Sequence, residues 1–560
     1  MLLLIPAALH FRRLTDPRAD GSINNFFESC RTLRSRRQKL SILRLATSTR
    51  SRRMRVPPWV ARHITGAALV LLFLTGALYV TSLQLGYLFK LDEAGYGDSY
   101  VLYDVQHFDK TGVTYRDLSQ PPYLPAQYSP LVYRLYALPS RLTSENIFLG
   151  PRLMALAAFS LCIAMVLSIV RALIPVRAAW WWGVLMAISI TSLESWPVQL
   201  RGDFPGIFFG LAAIRLLLMR SRNAVLVAGL CAGLATQFKF TYVAALIAGS
   251  LWILFYKQWK EFAVFVAAGV STSLGLYILF WLREPRMISQ MTAVAPGIRD
   301  IPGWVQLLSR VVREPVVLLA LPALPLFVLR PWPRWRLLLL FILVSFGVAG
   351  LTDLQAGGNI NYFHEGLLAL TPLAVLGAWR LMIWSRERLA IAVFLTGLIL
   401  LHFWLVDAQH TVGARSKFIP WQVEAQNGQF RRIENALRGQ HIFSTIPRLA
   451  LLDPQPALME PYLLSYMQRL GKVNLQPTVE RIRSGEFDLV ITSQYGDSWR
   501  GVPKIGPDLG SAIVAAYTPH CTLADRIFYL PRQHPEHAWL LLKLQQAGCM
   551  PYHWPTTPSW

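Results

Sequence analysis

Between Gly86 and Asn146 the chain carries Asp92, Glu93, Asp98, Asp104, Asp109 and Asp117 in a stretch rich in glycine, proline and tyrosine. A carboxylate within hydrogen-bond reach of a hydroxyl can take its proton as the oxygen attacks an electrophile. Asp98 is the best placed. It follows the turn Gly95-Tyr96-Gly97 and precedes Val101, Leu102, Val105 and Phe108, whose spacing predicts a helix over 99–108. A second amphipathic, aromatic helix is predicted over 131–142, and such helices lie in a membrane interface. A carboxylate there can reach a bilayer-borne substrate. Asp92 and Glu93 are the alternatives; Asp104, Asp109 and Asp117 read as solvated loop charges. A second group is cationic. Arg201 and Lys239 sit at the ends of apolar stretches, where a charge is expensive and functional by default. The competing readings are snorkelling for Lys239 and a structural pair with Asp203 for Arg201. A third group, Asn361, Tyr362, His364 and Glu365, precedes another apolar stretch. Helix capping with an aromatic belt is its plainer explanation.

The elements that must position these groups are apolar. Eleven stretches approach the ~20 residues (as few as ~17) that cross a hydrocarbon core. They lie near 64–84, 147–170, 178–193, 204–219, 224–238, 240–256, 261–282, 315–329, 337–351, 366–383 and 389–406. The predicted fold class is an all-α polytopic membrane protein of about 11 transmembrane helices with a C-terminal soluble α/β domain. Residues 1–62 hold fourteen Lys/Arg against Asp16, Asp20 and Glu28, which places the N-terminus inside. The loops that follow alternate. Arg171/Arg177, Arg215/Arg220/Arg222, Lys257/Lys260, Arg330/Arg334/Arg336 and Arg380/Arg386/Arg388 fall inside; the acids of 86–146, then Glu194, Arg201 and Asp203, then Asp353 and Glu365, fall outside. Residues 283–314 dissent, being assigned outside yet carrying Arg283, Arg286, Arg299, Arg310 and Arg313. Either these arginines meet an anion there, or the count of spans is off by one.

Three regions result: a basic cytoplasmic segment 1–60, a transmembrane region 61–406 with the large outer loop 86–146, and an extracytoplasmic domain 407–560. Met1–Leu9 is too short to span, and Met54, just before the first span, is a second candidate start. In the last 154 residues, strand-like runs at His441–Ile446, Phe487–Thr492 and Arg526–Leu530 alternate with helix-like stretches near 456–470 and 477–485. Cys30 lies inside, and Cys162 and Cys231 in spans. Cys521 and Cys549 both fall outside, where disulfides persist, and are expected to pair; two free thiols are the alternative. The net charge of +24 is mostly the inside arginines, which hold topology and meet anionic lipid heads. No base-reading motif accompanies it, so no nucleic-acid partner is expected.

The order Asp98…Gly112-Val113-Thr114-Tyr115-Arg116-Asp117…Tyr128-Ser129-Pro130-Leu131 resembles the GT-C superfamily of membrane glycosyltransferases. The likeness is to the bacterial dolichol-phosphate-mannose-transferase-like branch, near protein O-mannosyltransferases and lipid A aminoarabinose transferases. Arg201-Gly202-Asp203, Gln237-Phe238-Lys239-Phe240-Thr241 and Gly358-Asn359-Ile360-Asn361-Tyr362-Phe363-His364-Glu365 resemble it too, and the likeness covers roughly residues 60–500. Relatives usually show a tight acidic pair in this loop. Here Asp92-Glu93 lies twenty and nineteen residues before Gly112, whereas Asp98 lies fourteen before it and is followed by Ser99.

The resemblance implies an inverting sugar transfer, in the cell membrane, from a polyprenyl-phosphate donor to a glycan, lipid or protein acceptor on the outer face. Asp98 would be the base, with Asp92 and Glu93 as runners-up. Lys239, Arg201 and Arg299 would meet the donor phosphate, and Arg283 and Arg286 are further candidates. Asp203, Tyr128, Asn361, Tyr362, His364 and Glu365 would line the substrate site. No cofactor is certain. No metal-ligand spacing stands out, and a divalent cation held by Asp98 with Asp203 is the minor alternative. The rival readings are a polytopic transporter or lipid flippase, a non-catalytic scaffold, and a glycan ligase or polymerase using a similar donor. Charge-poor spans and the lack of an internal repeat count against transport.

Overall fold

The computed structural model describes residues 58–387, 397 and 420–552, apart from 96, 120, 142–145, 220, 294–300, 325–332, 355–358, 458–463, 465–466, 469, 494–497, 500–501, 504–505, 524–525 and 534–537. Apolar runs become helices wherever they are uninterrupted. These are α1 (Pro58–Phe89), α4 (Leu149–Leu173), α5 (Arg177–Ile188), α6 (Asp203–Leu217), α7 (Arg222–Phe238), α8 (Ala244–Phe255), α9 (Trp259–Arg283), α13 (Pro333–Thr352) and α14 (His364–Glu387). Among the described residues five stretches are long and apolar enough to cross a membrane: Thr65–Phe89, Leu149–Leu173, Trp259–Arg283, Pro333–Thr352 and Ile360–Ile383. The other predicted spans form shorter helices, including α12 (Pro315–Ala320), and 389–406 lies, apart from Gly397, outside the described residues. The break between α7 and α8 falls at Lys239, whose backbone is extended.

The first large loop folds into α2 (Asp98–Thr111) and α3 (Pro130–Ser140), near the predicted positions. Gly97, at φ +103°, turns the chain into α2 in a conformation that L side chains rarely adopt. Gly112, also left-handed, ends α2 by donating its N–H to Phe108. Pro130 starts α3 where its missing N–H costs nothing. Val101, Leu102 and Val105 of α2 pack with Val132, Tyr133 and Tyr136 of α3 over Leu200, Phe238 and Phe280.

This core corrects one expectation. Asp104 is not solvated: it is fully buried and pairs with Arg116 at 2.6 Å, because it faces the interior of the loop. Asp109 and Asp117 are surface groups, paired with Arg141 and Arg286.

Side chains from 284–314 tie the loops of this face together. Glu284 Oε2 accepts the N–H groups of Thr114 (2.7 Å) and Tyr115 (3.1 Å). Gln290 Oε1 accepts that of Ala126 at 3.0 Å, and its amide donates to the Arg116 carbonyl. Glu314 accepts the Thr191 N–H (3.1 Å), the Thr191 hydroxyl (3.1 Å) and the Ser192 N–H (2.7 Å). The dissenting segment therefore shares a face with 86–146 and 189–203. The anion that Arg286 meets is Asp117, at 2.9 Å. Between these ties run α10 (Met287–Met291) and α11 (Ile301–Arg313).

The C-terminal region builds α15 (Pro420–Leu437), α16 (Pro447–Ala450), α17 (Gln476–Arg483), α18 (Pro507–Ala516) and α19 (Ala538–Gln546) around a five-stranded sheet. Its order is β1 (Ile442–Ser444), β2 (Leu489–Ser493), β6 (Arg526–Pro531), β5 (Tyr517–Leu523), β7 (Met550–Pro551). β3 (Ser498–Trp499) and β4 (Val502–Pro503) form a separate ribbon. Among the described residues β1 and β2 pair parallel and the other pairs are antiparallel; β5 and β6 follow each other too closely for a crossover. Cys521 of β5 and Cys549, just before β7, form a disulfide with Cα atoms 5.6 Å apart. It closes a loop of sequence separation 28, so reduction is expected to cost about 3 kcal/mol. Thermal unfolding with and without reductant, against Cys521→Ser/Cys549→Ser, measures this.

Candidate active site

Asp98 opens α2 and is wholly buried. Its Oδ2 accepts the Ala94 N–H at 3.0 Å and its Oδ1 the Leu200 N–H at 3.2 Å. The carboxylate thus ties the first loop to residues 199–203. Arg152, also fully buried, brings Nη2 to 3.7 Å from Oδ2. Burial pushes the Asp98 carboxyl up; Arg152, Arg201 and the two backbone donors pull against it without cancelling the rise. A base raised in this way stands closer to neutral working pH than a free aspartate.

The two runners-up differ from it. Asp92 bonds Arg526 of the C-terminal region at 2.7 Å. Burial opposes its charge, but Arg526 and Lys90 hold its carboxyl below the usual range. Glu93 is half-buried and accepts the Ser99 N–H at 2.9 Å. Burial, with Asp92 beside it, pushes its carboxyl up to about 7.

Arg201 follows directly on Leu200. Its Nε donates to Gln199 Oε1 at 2.9 Å, its carbonyl accepts the Tyr136 hydroxyl at 2.7 Å, and its guanidinium lies 4.8 Å from the Trp196 ring centre. Burial works against its charge, while Tyr128, Tyr100, Asp203 and Asp98 favour it, and the balance keeps it firmly protonated. Tyr128 is buried beside it, its carbonyl accepting the Tyr115 hydroxyl at 2.6 Å. Gly202 then brings the chain against the end of α7: a Cβ here would fall 2.3 Å from the Phe238 carbonyl oxygen.

That approach sets Asp203 beside Lys239. Asp203 Oδ1 accepts from Lys239 Nζ (3.0 Å), the Tyr242 hydroxyl (2.7 Å) and Asn361 Nδ2 (3.0 Å). Its buried Oδ2 has no hydrogen-bond partner among the described residues. The Lys239 ammonium also lies 3.7 Å from the Tyr362 ring centre. The ion pair considered for Arg201 is therefore made by Lys239. Asp203, Lys239, Asn361 and Tyr362, far apart in sequence, meet in one cluster next to Arg201 and Asp98.

Two predicted residues point elsewhere. His364 bonds the Ser192 carbonyl at 3.1 Å and stacks on Phe204. Glu365 faces the helix bundle, where it accepts the Ser345 hydroxyl at 3.0 Å and crowds Gly210. Arg299 lies outside the described residues. Among the described residues no group of three or more His, Cys, Asp or Glu gathers to hold a metal, and three donors already occupy Asp203 Oδ1.

Sequence reasoning passed over Arg152 and Tyr242. Arg152 is the fourth residue of an apolar helix, so the membrane-edge rule applied to Lys239 flags it equally well.

No protein-family model and no curated protein sequence matches this chain. Solved structures do. That of ArnT from Cupriavidus metallidurans in the apo state is similar over 83% of this chain and 98% of its own, at 13% identity and a TM-score of 0.53. The structure of ArnT from the same organism bound to undecaprenyl phosphate is similar over 82% and 97%, at 12% identity and a TM-score of 0.54. At such identities the likeness is one of fold. Over more than four-fifths of its length this chain shares the fold of the ArnT structures.

Proposed function

We propose that the chain transfers a sugar from a polyprenyl-phosphate donor to an acceptor hydroxyl at the outer face of the cell membrane, with inversion at the anomeric carbon. The observation that carries this is the meeting of a buried carboxylate, Asp98, with the cationic cluster of Arg201 and Lys239. The ArnT-like fold, seen elsewhere with undecaprenyl phosphate bound, supports the choice of donor.

Asp98 takes the acceptor proton as the hydroxyl oxygen attacks. The bond from the anomeric carbon to the lipid phosphate breaks through an oxocarbenium-like state. The leaving phosphate gains charge, and Arg201 and Lys239 stabilise it; Arg299 joins them in this reading. Lys239 has ammonium hydrogens beyond the one Asp203 takes, so it can serve both. Asp203 Oδ2, buried with no partner among the described residues, can accept a sugar hydroxyl, and Tyr128, Asn361 and Tyr362 complete the wall.

Purified protein in lipid with a labelled polyprenyl-phosphate-linked sugar tests the reading directly. Mass spectrometry of envelope glycans and lipids from cells with and without the protein identifies the product. No transfer in either experiment would overturn it. The orientation has its own test. Single cysteines placed in 86–146 and on the C-terminal domain should label in intact cells. Labelling only after permeabilisation reverses the topology.

A further inference from the structure

Residues 89–92 link α1 to the loop that carries Asp98, and they are gripped from two sides. From the C-terminal domain, Asn427 of α15 uses both ends of its amide: Oδ1 accepts the Leu91 N–H at 2.8 Å, and Nδ2 donates to the Phe89 carbonyl at 3.0 Å. Arg448 of α16 donates Nε to the Leu91 carbonyl at 3.4 Å. Arg526 of β6 bonds Asp92 Oδ2 at 2.7 Å, with 12% and 21% of the two side chains exposed. The Leu91 side chain is buried within the domain's own core, among Phe430, Ile433, Leu449 and Phe528.

From the bundle, Arg152 of α4 donates to the carbonyls of Tyr87 (3.0 Å), Lys90 and Asp92 (2.7 Å). The same guanidinium lies 3.7 Å from Asp98 Oδ2, and the Ala94 N–H, two residues past Asp92, donates to that oxygen. A short chain of contacts therefore runs from Arg526 through Asp92 and Arg152 to Asp98. Three separate elements of the domain converge on Phe89, Leu91 and Asp92. A merely tethered module needs no such convergence, and its ties here are charge-assisted or satisfy backbone groups.

We propose that the C-terminal domain is a working part of the active site, in which Asn427, Arg448 and Arg526 are positioning residues that set the place of Asp98 by holding 89–92. This rests on the reading of Asp98 as the base, but the holding can be measured apart from turnover. In the proposed function the donor phosphate is met by Lys239 and Arg201, which the domain's contacts with 89–92 do not touch. Loosening the grip should therefore slow the reaction without weakening donor binding.

The test uses the full-length protein in lipid, with Arg526→Met, Asn427→Ala and the conservative Arg526→Lys. Amide hydrogen exchange over 88–99 and initial rates with a labelled polyprenyl-phosphate-linked sugar are read together. Both truncations should raise exchange over 88–99 about tenfold, leave β2 and β6 protected, and lower kcat by about 10–100-fold at unchanged donor KM. Arg526→Lys should restore most of both. Unchanged exchange over 88–99 overturns the proposal, as does normal kcat with a loosened segment. If the unaltered protein transfers no sugar, the transferase reading falls instead, and exchange alone decides whether the domain holds the segment.

Discussion

Asp98→Asn is expected to lower turnover by about 10²–10⁴. The substitution keeps the shape and removes the basicity. It is not free of structural cost, because Asp98 accepts one backbone N–H on each oxygen. An asparagine can keep only one of these with its carbonyl oxygen. The other backbone donor is then left buried and unpaired, which costs about 1–3 kcal/mol. Stability must therefore be measured beside the rate, and the rate loss should far exceed any loss of folded protein. The pH profile gives a second reading. A base must be ionised, so kcat falls as pH drops through its pKa. Burial raises the Asp98 carboxyl, which places this acid limb above the ordinary aspartate range. Asp98→Asn with normal turnover, joined by loss in Glu93→Gln, would move the role to the neighbouring acid, whose carboxyl burial pushes to about 7.

Lys239→Ala carries the second large effect. The lysine is nearly buried and paired with a buried aspartate, so its removal leaves Asp203 charged without its cation. Breaking such a pair costs about 3–5 kcal/mol, and donor binding should weaken about 10–100-fold through loss of a charge-assisted contact. The two effects separate in the double variant Lys239→Met/Asp203→Asn. Asparagine at 203 still accepts from Tyr242 and Asn361, so most of the stability should return. The donor affinity should not. Unfolding in lipid and donor titration measure the pair. If the double variant recovers both, Lys239 holds structure only and the phosphate is met by other groups.

The local parts of this fold were legible because local chemistry sets them. Gly97, Gly112 and Pro130 mark helix ends by backbone geometry, and the apolar spacing of Val101, Leu102 and Val105 fixes which face is buried. Asp98, Arg201 and Lys239 were legible as charges in costly places. What could not be read is who meets whom. Glu284 caps a backbone N–H 169 residues away, and nothing near it in sequence foretells the partner. Asp104 looked like any loop acid until α3 and Arg116 closed over it. Nor does length alone settle the spans. A polar break such as Lys239 divides one apolar run into two helices, and hydropathy alone does not say whether each half crosses a membrane.

The carboxylates and amide of Glu284, Gln290 and Glu314 grasp their neighbours chiefly by main-chain atoms, at Thr114, Tyr115, Arg116, Ala126, Thr191 and Ser192. A main-chain group is supplied by nearly any amino acid. These ties do not dictate which residue stands at a grasped position, but Thr114, Tyr115 and Ala126 are also buried, Arg116 pairs with Asp104 and the Thr191 hydroxyl is itself bound, so identity is least constrained at the half-buried Ser192. Substitutions at Ser192 are expected to alter what this face recognises far more than whether it stays assembled, whereas those at Thr114, Tyr115, Arg116 and Ala126 should loosen the face as well.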